Sequence, residues 1–240
     1  MRGIVWQGAS IIDGAPIVCI ATDGSKNAKT GPMIQTWILR SDVRPWQAVL
    51  DGTDRSVCGD CPHRRQVDGT RTCYVNVPQA PTAVYKTYQA GKYPTLALVD
   101  LRSAIPVRIG SYGDPGALPL VVVRALASAG PSYTGYTHQW RKRADLQPYL
   151  MASVDSETEA REARSLGWRT FRVAPNSGIF NRFSADPAGK EIQCVSDSRG
   201  VSCSDCRLCS GSQLSAASIW IGAHGTSARS VGRSLAILSY

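Results

Sequence analysis

Short apolar runs that end in turn residues recur along the chain and predict buried strands. They predict strands at 33–39, 107–111, 133–137, 150–154, 169–173 and 218–222. Helices are predicted between them at 80–90, 118–129, 141–150 and 156–166, with a weaker helix at 227–235. Ser156 and Glu159 have the spacing of a capping box at the start of the fourth helix. Residues 1–32 show a glycine-rich, mixed pattern that ends in a polar loop at 25–32. This alternation of strands and helices predicts an α/β fold with a parallel sheet of five or six strands.

Residues that directly follow the predicted strands are the first candidates for function, because parallel α/β folds bind ligands beyond the carboxyl ends of their strands. These residues are Tyr112, Gly113, Asp114, His138, Asp155 and His224. Asp114 and Asp155 are each expected either to cap the next helix or to contact a ligand. His138 is a candidate proton donor or acceptor, and its alternative is a buried histidine that only forms hydrogen bonds.

Composition narrows the class of protein. The chain has 240 residues, 43% of them apolar, which excludes a disordered tail. No apolar run reaches the roughly 20 residues that span a bilayer, and the first residues are too polar for a signal peptide. We therefore expect a cytoplasmic protein with no membrane partner. The net charge of +9 favours anionic partners, and the basic segment Arg141–Arg143 is either a nucleic-acid surface or a solvated helix face.

Seven of the eight cysteines fall into two groups along the chain. The first group is Cys58, Cys61 and Cys73, and the second is Cys194, Cys203, Cys206 and Cys209. A C-x2-C step lets two sulfurs face one ion across a tight turn, and reducing compartments disfavour disulfides. Both groups are therefore predicted to bind metal. Cys19 stands apart in the apolar run 17–20 and is expected to be a small buried hydrophobic residue.

The two cysteine groups allow different metal chemistry. The second group has four sulfurs that suit either a zinc or an iron–sulfur site, and its C-x2-C-x2-C repeat favours iron–sulfur. The first group has three, which leaves either an open metal position or completion by His63 or Asp60. One shared site that draws on both groups is a further arrangement. We expect one or two [4Fe–4S] clusters, with zinc as the alternative.

A wider set of motifs resembles one known family. The set comprises Ser25–Gly31, Cys58-Gly-Asp-Cys61-Pro-His63, Cys73-Tyr74, Gly110–Pro115, Thr134–Trp140, Met151–Ser156 and the closing cysteine group. These motifs cover most of residues 25–225, and together they resemble a phage family labelled gene-product-eighty-eight-like. The resemblance implies a phage or prophage protein that acts in the cytoplasm of a bacterial host, and it supplies no activity.

The chain is also remotely similar to radical S-adenosylmethionine enzymes, which have partial (β/α) barrels and a three-cysteine loop after the first strand. That resemblance implies that the first cysteine group leaves one iron of a [4Fe–4S] cluster free for S-adenosylmethionine. It implies that Gly113 and Asp114 form the acidic turn that supports the cofactor's amine, and that the second group holds an auxiliary cluster. The spacing here is C-x2-C-x11-C, where that family has C-x3-C-x2-C.

These expectations combine into one organisation and one leading function. Residues 1–190 are expected to form a partial (β/α) barrel with the cysteine loop inserted at 52–76. Residues 191–240 are expected to return to it as a cysteine-rich, metal-binding segment. We expect an iron–sulfur phage protein, with a radical S-adenosylmethionine-like activity on a substrate that the sequence does not reveal. In that reading His138 moves a proton and Asp155 binds a hydroxyl group. The alternative is a zinc-stabilised protein that binds nucleic acid.

Overall fold

One mixed sheet organises the chain. The computed structural model describes residues 1–23, 27–174, 191–211 and 216–223. Within these ranges the sheet has nine strands in the order β1-β2-β3-β4-β5-β6-β7-β9-β8. The strands are β1 (Gly3–Ala9), β2 (Pro16–Thr22), β3 (Ile34–Arg40), β4 (Val107–Tyr112), β5 (Tyr133–Thr137), β6 (Met151–Val154), β7 (Thr170–Ala174), β8 (Glu191–Gln193) and β9 (Ser218–Gly222). The α/β class and all the predicted strands are confirmed, and the expected count of five or six strands is too low.

The strands from β3 onward pair in parallel, as the sequence pattern predicts. The first two strands differ, because β1 pairs antiparallel with β2 and β2 pairs antiparallel with β3. The prediction of an unpatterned, glycine-rich start is therefore wrong for residues 3–22. Cys19 lies on β2 with no exposed surface, which confirms its expected place in the core.

Seven α-helices occur in the described ranges. They are α1 (Pro45–Asp51), α2 (Arg55–Cys58), α3 (Ala80–Gln89), α4 (Leu120–Ala127), α5 (Glu157–Ser165), α6 (Val195–Arg199) and α7 (Cys203–Cys206). Short 3₁₀ turns occur at Leu98–Asp100, Pro115–Ala117 and Ala144–Leu146. No helix in these ranges is long and apolar enough to cross a bilayer.

The cap of α5 forms as predicted, whereas the helix predicted at 141–150 does not form. Ser156 caps α5, where its Oγ accepts a hydrogen bond of 3.1 Å from the Glu159 amide, as the capping box predicts. The helix predicted at 141–150 is wrong, because only the 3₁₀ turn at 144–146 forms there. Pro148 lies inside the predicted span, and proline disfavours helical geometry in the residue before it. The helix predicted at 227–235 lies outside the described residues.

The parallel strands present two faces with different roles. Val107 and Ile109 of β4 belong to the main hydrophobic core, together with Val122 and Leu126 of α4. Side chains alternate along a strand, so the residues between them face the other way. On that second face, Arg108 and other alternate residues of β4, β5, β7 and β9 border a cavity. The loops that carry the cysteines therefore lie against this second face of the sheet.

Candidate metal centre

Both cysteine groups line the same cavity, which has a volume of about 460 Å³. We call Cys58, Cys61 and Cys73 the three-thiol group, and Cys194, Cys203, Cys206 and Cys209 the four-thiol group. All seven are free thiols, with no disulfide among them. Strand residues with alternating positions form the wall against which both groups lie: Arg108, Thr134, Tyr136, Phe171, Val173 and Ile221. The structure thus brings together sulfurs that are far apart in sequence.

Short backbone contacts position the three-thiol group. Cys58 is the last residue of α2, and its carbonyl accepts a hydrogen bond of 3.3 Å from the amide of Cys61. The amide of Cys73 donates to the carbonyl of His63 at 3.0 Å, which folds the long loop back on itself. The amide of Asp114 donates to the carbonyl of Val57 at 2.6 Å. This last bond fixes α2 against the carboxyl end of β4.

Arg64 anchors the loop that carries the three-thiol group. Its guanidinium pairs with the buried carboxylate of Asp54, with Nε at 2.9 Å from Oδ1. It also donates to the carbonyls of Gly52 and Gly59. A planar guanidinium with several N–H groups can hold several loop segments at once. The cysteine loop is therefore fixed by an internal ion pair as well as by its backbone.

The four-thiol group is held by contacts with three parts of the chain. The Cys194 amide donates to the Trp220 carbonyl of β9 at 2.8 Å, and the Cys203 amide donates to the Lys29 carbonyl at 3.0 Å. The carbonyl of Cys209 accepts from Gly135 of β5 at 3.1 Å. These bonds bind the segment 194–209 onto the cavity face of the sheet. The polar loop predicted near 25–32 therefore contributes to the site through Lys29, which also lines the cavity.

Burial raises the pKa of four of the cavity thiols, Cys58, Cys73, Cys203 and Cys209. Burial raises the pKa of Cys58 well above its usual value, and the nearby Asp54 and other thiols of its group add to that rise. Burial also raises the pKa of Cys209 to about 12, with further contributions from the other sulfurs of the four-thiol group. A bound metal cation reverses this balance because it stabilises thiolates directly. The donor atoms are soft sulfurs, which suit iron–sulfur clusters and zinc.

Zinc sites and iron–sulfur clusters need different distances between their sulfur ligands. Zinc binds thiolates at about 2.3 Å, so the sulfurs of one zinc site lie less than about 4 Å apart. Among the described residues, the group of three whose ligand atoms all lie within 4.8 Å of one another is His63, His138 and Asp155, and it contains no cysteine. A [4Fe–4S] cluster attaches each thiolate to a different iron and therefore needs wider spacing. Among the described residues, no three cysteine sulfurs lie within 4.8 Å of one another, the closeness that a single zinc ion would require.

Gly113 and Asp114 line the cavity and also have structural contacts. Oδ1 of Asp114 accepts hydrogen bonds from the Gly116 amide at 2.7 Å and from Thr137 Oγ1 at 2.6 Å. Its Oδ2 accepts from the His138 amide at 2.7 Å. Asp114 is thus a cap, one of the two roles expected for it, and it joins β4 to the end of β5. The role predicted for Gly113 and Asp114 in binding a cofactor stays a prediction.

His138 and Asp155 lie together, and His63 joins them. Asp155 Oδ1 is 2.8 Å from His63 Nε2, and its Oδ2 is 3.4 Å from His138 Nε2. These contacts hold the pKa of Asp155 well below its usual value despite burial. Asp155 does not cap α5, because Ser156 has that position. We call His63, His138 and Asp155 the histidine–aspartate group; sequence reasoning considered His63 only as a thiol partner, since nothing local pairs it with a residue 92 positions away.

Two further cavity residues have features that sequence reasoning missed or left undeveloped. Tyr112 is 4% exposed, and its hydroxyl has no hydrogen-bond partner in the part of the chain that the structure describes. It lies near Cys58 and Cys73, whose charges raise its pKa further above the value that burial sets. Arg108 donates to the hydroxyl of Tyr74 and lines the cavity close to Cys203. Arg108 and Tyr112 are four positions apart on β4, and both line the cavity.

The expected basic surface is largely paired within the chain. Each side chain of the segment Arg141–Arg143 forms an ion pair, and the acidic partners are Glu159, Glu162, Asp60 and Asp145. These pairs reduce the charge available to a nucleic acid. They also occupy Asp60, which does not line the shared cavity, so completion of the three-thiol group by this residue has no support.

The remaining candidate from the sequence, His224, lies outside the described residues. Of the other predicted site residues, the seven cysteines, Gly113, Asp114 and His138 line the shared cavity, whereas Asp155 lies beside it at a smaller pocket of about 100 Å³. No family model, no curated protein and no solved structure matches this chain.

Proposed function

We propose that this chain is an iron–sulfur protein in which each thiol group holds a [4Fe–4S] cluster at one shared cavity. The observation that carries the proposal is the convergence of three and four free thiols on a single cavity of about 460 Å³. No three of these sulfurs lie within 4.8 Å of one another in the described residues, and soft donors match iron in a cluster. Four thiols complete one cluster, whereas three leave one iron without a protein ligand.

The cavity provides space for a small molecule beside the iron that has no protein ligand. When bound, a [4Fe–4S] cluster supplies one-electron redox chemistry and an iron that accepts a ligand. The chain's own residues then bind and orient a small molecule beside the three-thiol group. The Tyr112 hydroxyl is buried and lacks a partner there, so it is available as a hydrogen-bond donor to that molecule. Arg108 offers a guanidinium from the same wall to an anionic group.

The resemblance to radical S-adenosylmethionine enzymes adds a more specific proposal. In it, the open iron of the first cluster binds S-adenosylmethionine. Gly113 and Asp114 line the cavity beside the three-thiol group, which supports it. The Asp114 carboxylate already accepts three hydrogen bonds within the chain. It therefore fits a residue that shapes the pocket better than one that meets an amine with a free carboxylate.

We also propose that the parallel strands form a partial (β/α) barrel. Its support is the strand order, since β3, β4, β5, β6 and β7 are neighbours in the sheet in the same order as in the chain. Sequential parallel strands are the arrangement of (β/α) barrels, whereas doubly wound sheets reverse their order at a switch point. A phage protein acting in the host cytoplasm remains the proposed biological setting.

Iron and sulfide analysis of anaerobically purified protein tests the main proposal. We expect about eight irons and eight sulfides per chain, with a brown visible spectrum. Cys61→Ser and Cys206→Ser should each lose about half of the iron, because each removes one ligand set. Cys19→Ala is the matched control, since that buried thiol lies on β2 and does not line the cavity. Colourless protein with stoichiometric zinc would contradict the proposal and favour the zinc alternative.

The Cys206→Ser variant also provides a separate test of S-adenosylmethionine binding. It should retain only the cluster at the three-thiol group, whose reduced form has its own electron paramagnetic resonance signal. Addition of S-adenosylmethionine should change that signal if the cofactor binds the open iron. An unchanged signal would rule out S-adenosylmethionine and leave the clusters in place.

A further inference from the structure

The histidine–aspartate group has the geometry of a collapsed metal site beside the main cavity. His63 Nε2 and His138 Nε2 both face Asp155, at 2.8 and 3.4 Å from its two carboxylate oxygens. The two imidazole rings lie edge to face with centroids 6.0 Å apart. One ligand atom from each residue lies within 4.8 Å of the others. A transition-metal ion bound at about 2.0–2.2 Å from each donor fits such a group after small side-chain movements.

The outer nitrogen of His63 supports this interpretation independently. His63 Nδ1 forms a hydrogen bond of 2.8 Å with Thr72 Oγ1. His138 Nδ1 lies 4.0 Å from Asp114 Oδ2, which is beyond hydrogen-bond distance. Metal-ligating histidines almost always have an oxygen partner at the nitrogen that does not bind the metal, because that contact fixes the ring and its tautomer. The bond to Thr72 thereby directs Nε2 of His63 toward Asp155.

The positions of the three residues in the fold also match a ligand site. His138 follows β5, and Asp155 follows β6, which is the neighbouring parallel strand. These are carboxyl strand ends, where parallel α/β folds place their ligands. His63 reaches them from the cysteine loop. All three side chains are largely buried, with side-chain exposures of 13% for His63, 18% for His138 and 5% for Asp155.

We propose that His63, His138 and Asp155 bind one divalent transition-metal ion, separate from the two thiol groups. Two imidazoles and one carboxylate are the donor set of mononuclear Fe(II), Mn(II) and catalytic Zn(II) sites, which keep further positions open. His63 and His138 also line the main cavity, so an ion held by them would lie at its edge. The two imidazoles select against Mg²⁺ and Ca²⁺, which prefer all-oxygen ligands. The site would place a Lewis acid next to the molecule that the cavity binds.

Mn(II) is the probe that best distinguishes this site from the thiol groups, because imidazole and carboxylate donors suit it and soft thiolates do not. The 240-residue chain is treated with EDTA and titrated with Mn(II), and free Mn(II) is measured by its paramagnetic resonance signal. We expect one Mn(II) per chain. His63→Gln and Asp155→Asn should each weaken binding by at least about tenfold. Asp60→Asn is the matched control, since this exposed carboxylate borders the same small pocket as Asp155 but is not a ligand.

Folding and cluster content are followed in the same samples. Thermal melting confirms that each variant is folded, and His63→Gln decides the test if Asp155→Asn does not fold. Sulfide analysis reports the thiol groups independently, so loss of the clusters and loss of the Mn(II) site are read separately. Absence of stoichiometric Mn(II) binding in the folded wild-type chain would overturn the proposal. Equal binding by wild type and His63→Gln would overturn it as well.

Discussion

The Sγ atom of Cys61 lies 3.9 Å from Nε2 of His138. This contact joins the three-thiol group to the histidine–aspartate group, although the two residues are 77 positions apart in the chain. A cation at the histidine–aspartate group would therefore lie only a few ångströms from a cluster ligand. At such distances charges interact strongly even at the effective dielectric of a protein. The two proposed metal centres should influence each other measurably.

The first prediction is that Mn(II) changes the properties of the cluster at the three-thiol group. The added positive charge stabilises the reduced, more negative cluster, so its reduction potential should rise on the order of tens of millivolts. The unpaired electrons of Mn(II) should also broaden the cluster's paramagnetic resonance signal. A redox titration of Cys206→Ser with and without Mn(II) measures both effects. His63→Gln in the same background should abolish them, and a shift that survives this substitution would disprove the coupling.

The second prediction concerns the cap of α5. Ser156→Ala removes the oxygen that accepts the Glu159 amide at 3.1 Å, and loss of such a cap costs about 1 kcal/mol. For a chain of this size that corresponds to a fall in Tm of about 2–4 °C. Ser165→Ala is the control, because its hydroxyl only bonds an exposed carbonyl in the last turn of the same helix. Equal melting temperatures of the two variants would show that the cap is not stabilising.

Most of the fold could be predicted because apolar periodicity indicates strands and short local motifs indicate helix caps. The hairpin of β1 and β2 was missed, although the run 17–20 is as apolar as a buried strand and Asp13-Gly14 is a common turn dipeptide. Its glycines suggested a loop, whereas Gly14 has a φ of 76° in the turn itself. The helix predicted at 141–150 does not form. Its charged residues favour a helix, but Pro148 within the span disfavours one.

The candidate site could be predicted only where its signal is local. Cysteine spacing predicted both thiol groups, because C-x2-C pairs are recognisable in a few residues. That both groups line one cavity depends on how β5 and β9 meet the distant cysteine loops, and no local pattern reports it. The same holds for His63, whose partner Asp155 is far away in sequence and reaches it only through the parallel order of β5 and β6.

The third prediction concerns Arg64. Arg64→Met strands the carboxylate of Asp54, whose side chain is 3% exposed, and breaking a buried pair from one side costs about 3 kcal/mol. We expect that loss in urea unfolding, together with reduced iron at the three-thiol group. Adding Asp54→Asn should restore part of the stability because it removes the stranded charge. The control Arg55→Gln breaks an exposed pair with Asp60 and should cost less than about 1 kcal/mol. A small effect of Arg64→Met alone would refute the anchoring role.

The fourth prediction separates a close backbone approach from simple backbone strain. Gly113 and Gly91 both have positive φ, at 80° and 65°. A Cβ at Gly113 would lie 2.5 Å from the carbonyl oxygen of Ile38, whereas a Cβ at Gly91 meets nothing within 4 Å. Gly91→Ala should therefore cost only the left-handed conformation, about 1 kcal/mol.

Gly113→Ala should cost more than that control, about 3 kcal/mol in total, because rigid backbone must also move. The movement would disturb the bond from the Asp114 amide to the Val57 carbonyl, next to Cys58. We therefore expect Gly113→Ala to lose iron from the three-thiol group and Gly91→Ala to retain it. Urea unfolding and iron analysis measure the two effects. Equal unfolding free energies for the two variants would mean that β3 and the loop after β4 do not approach as closely as the structure indicates.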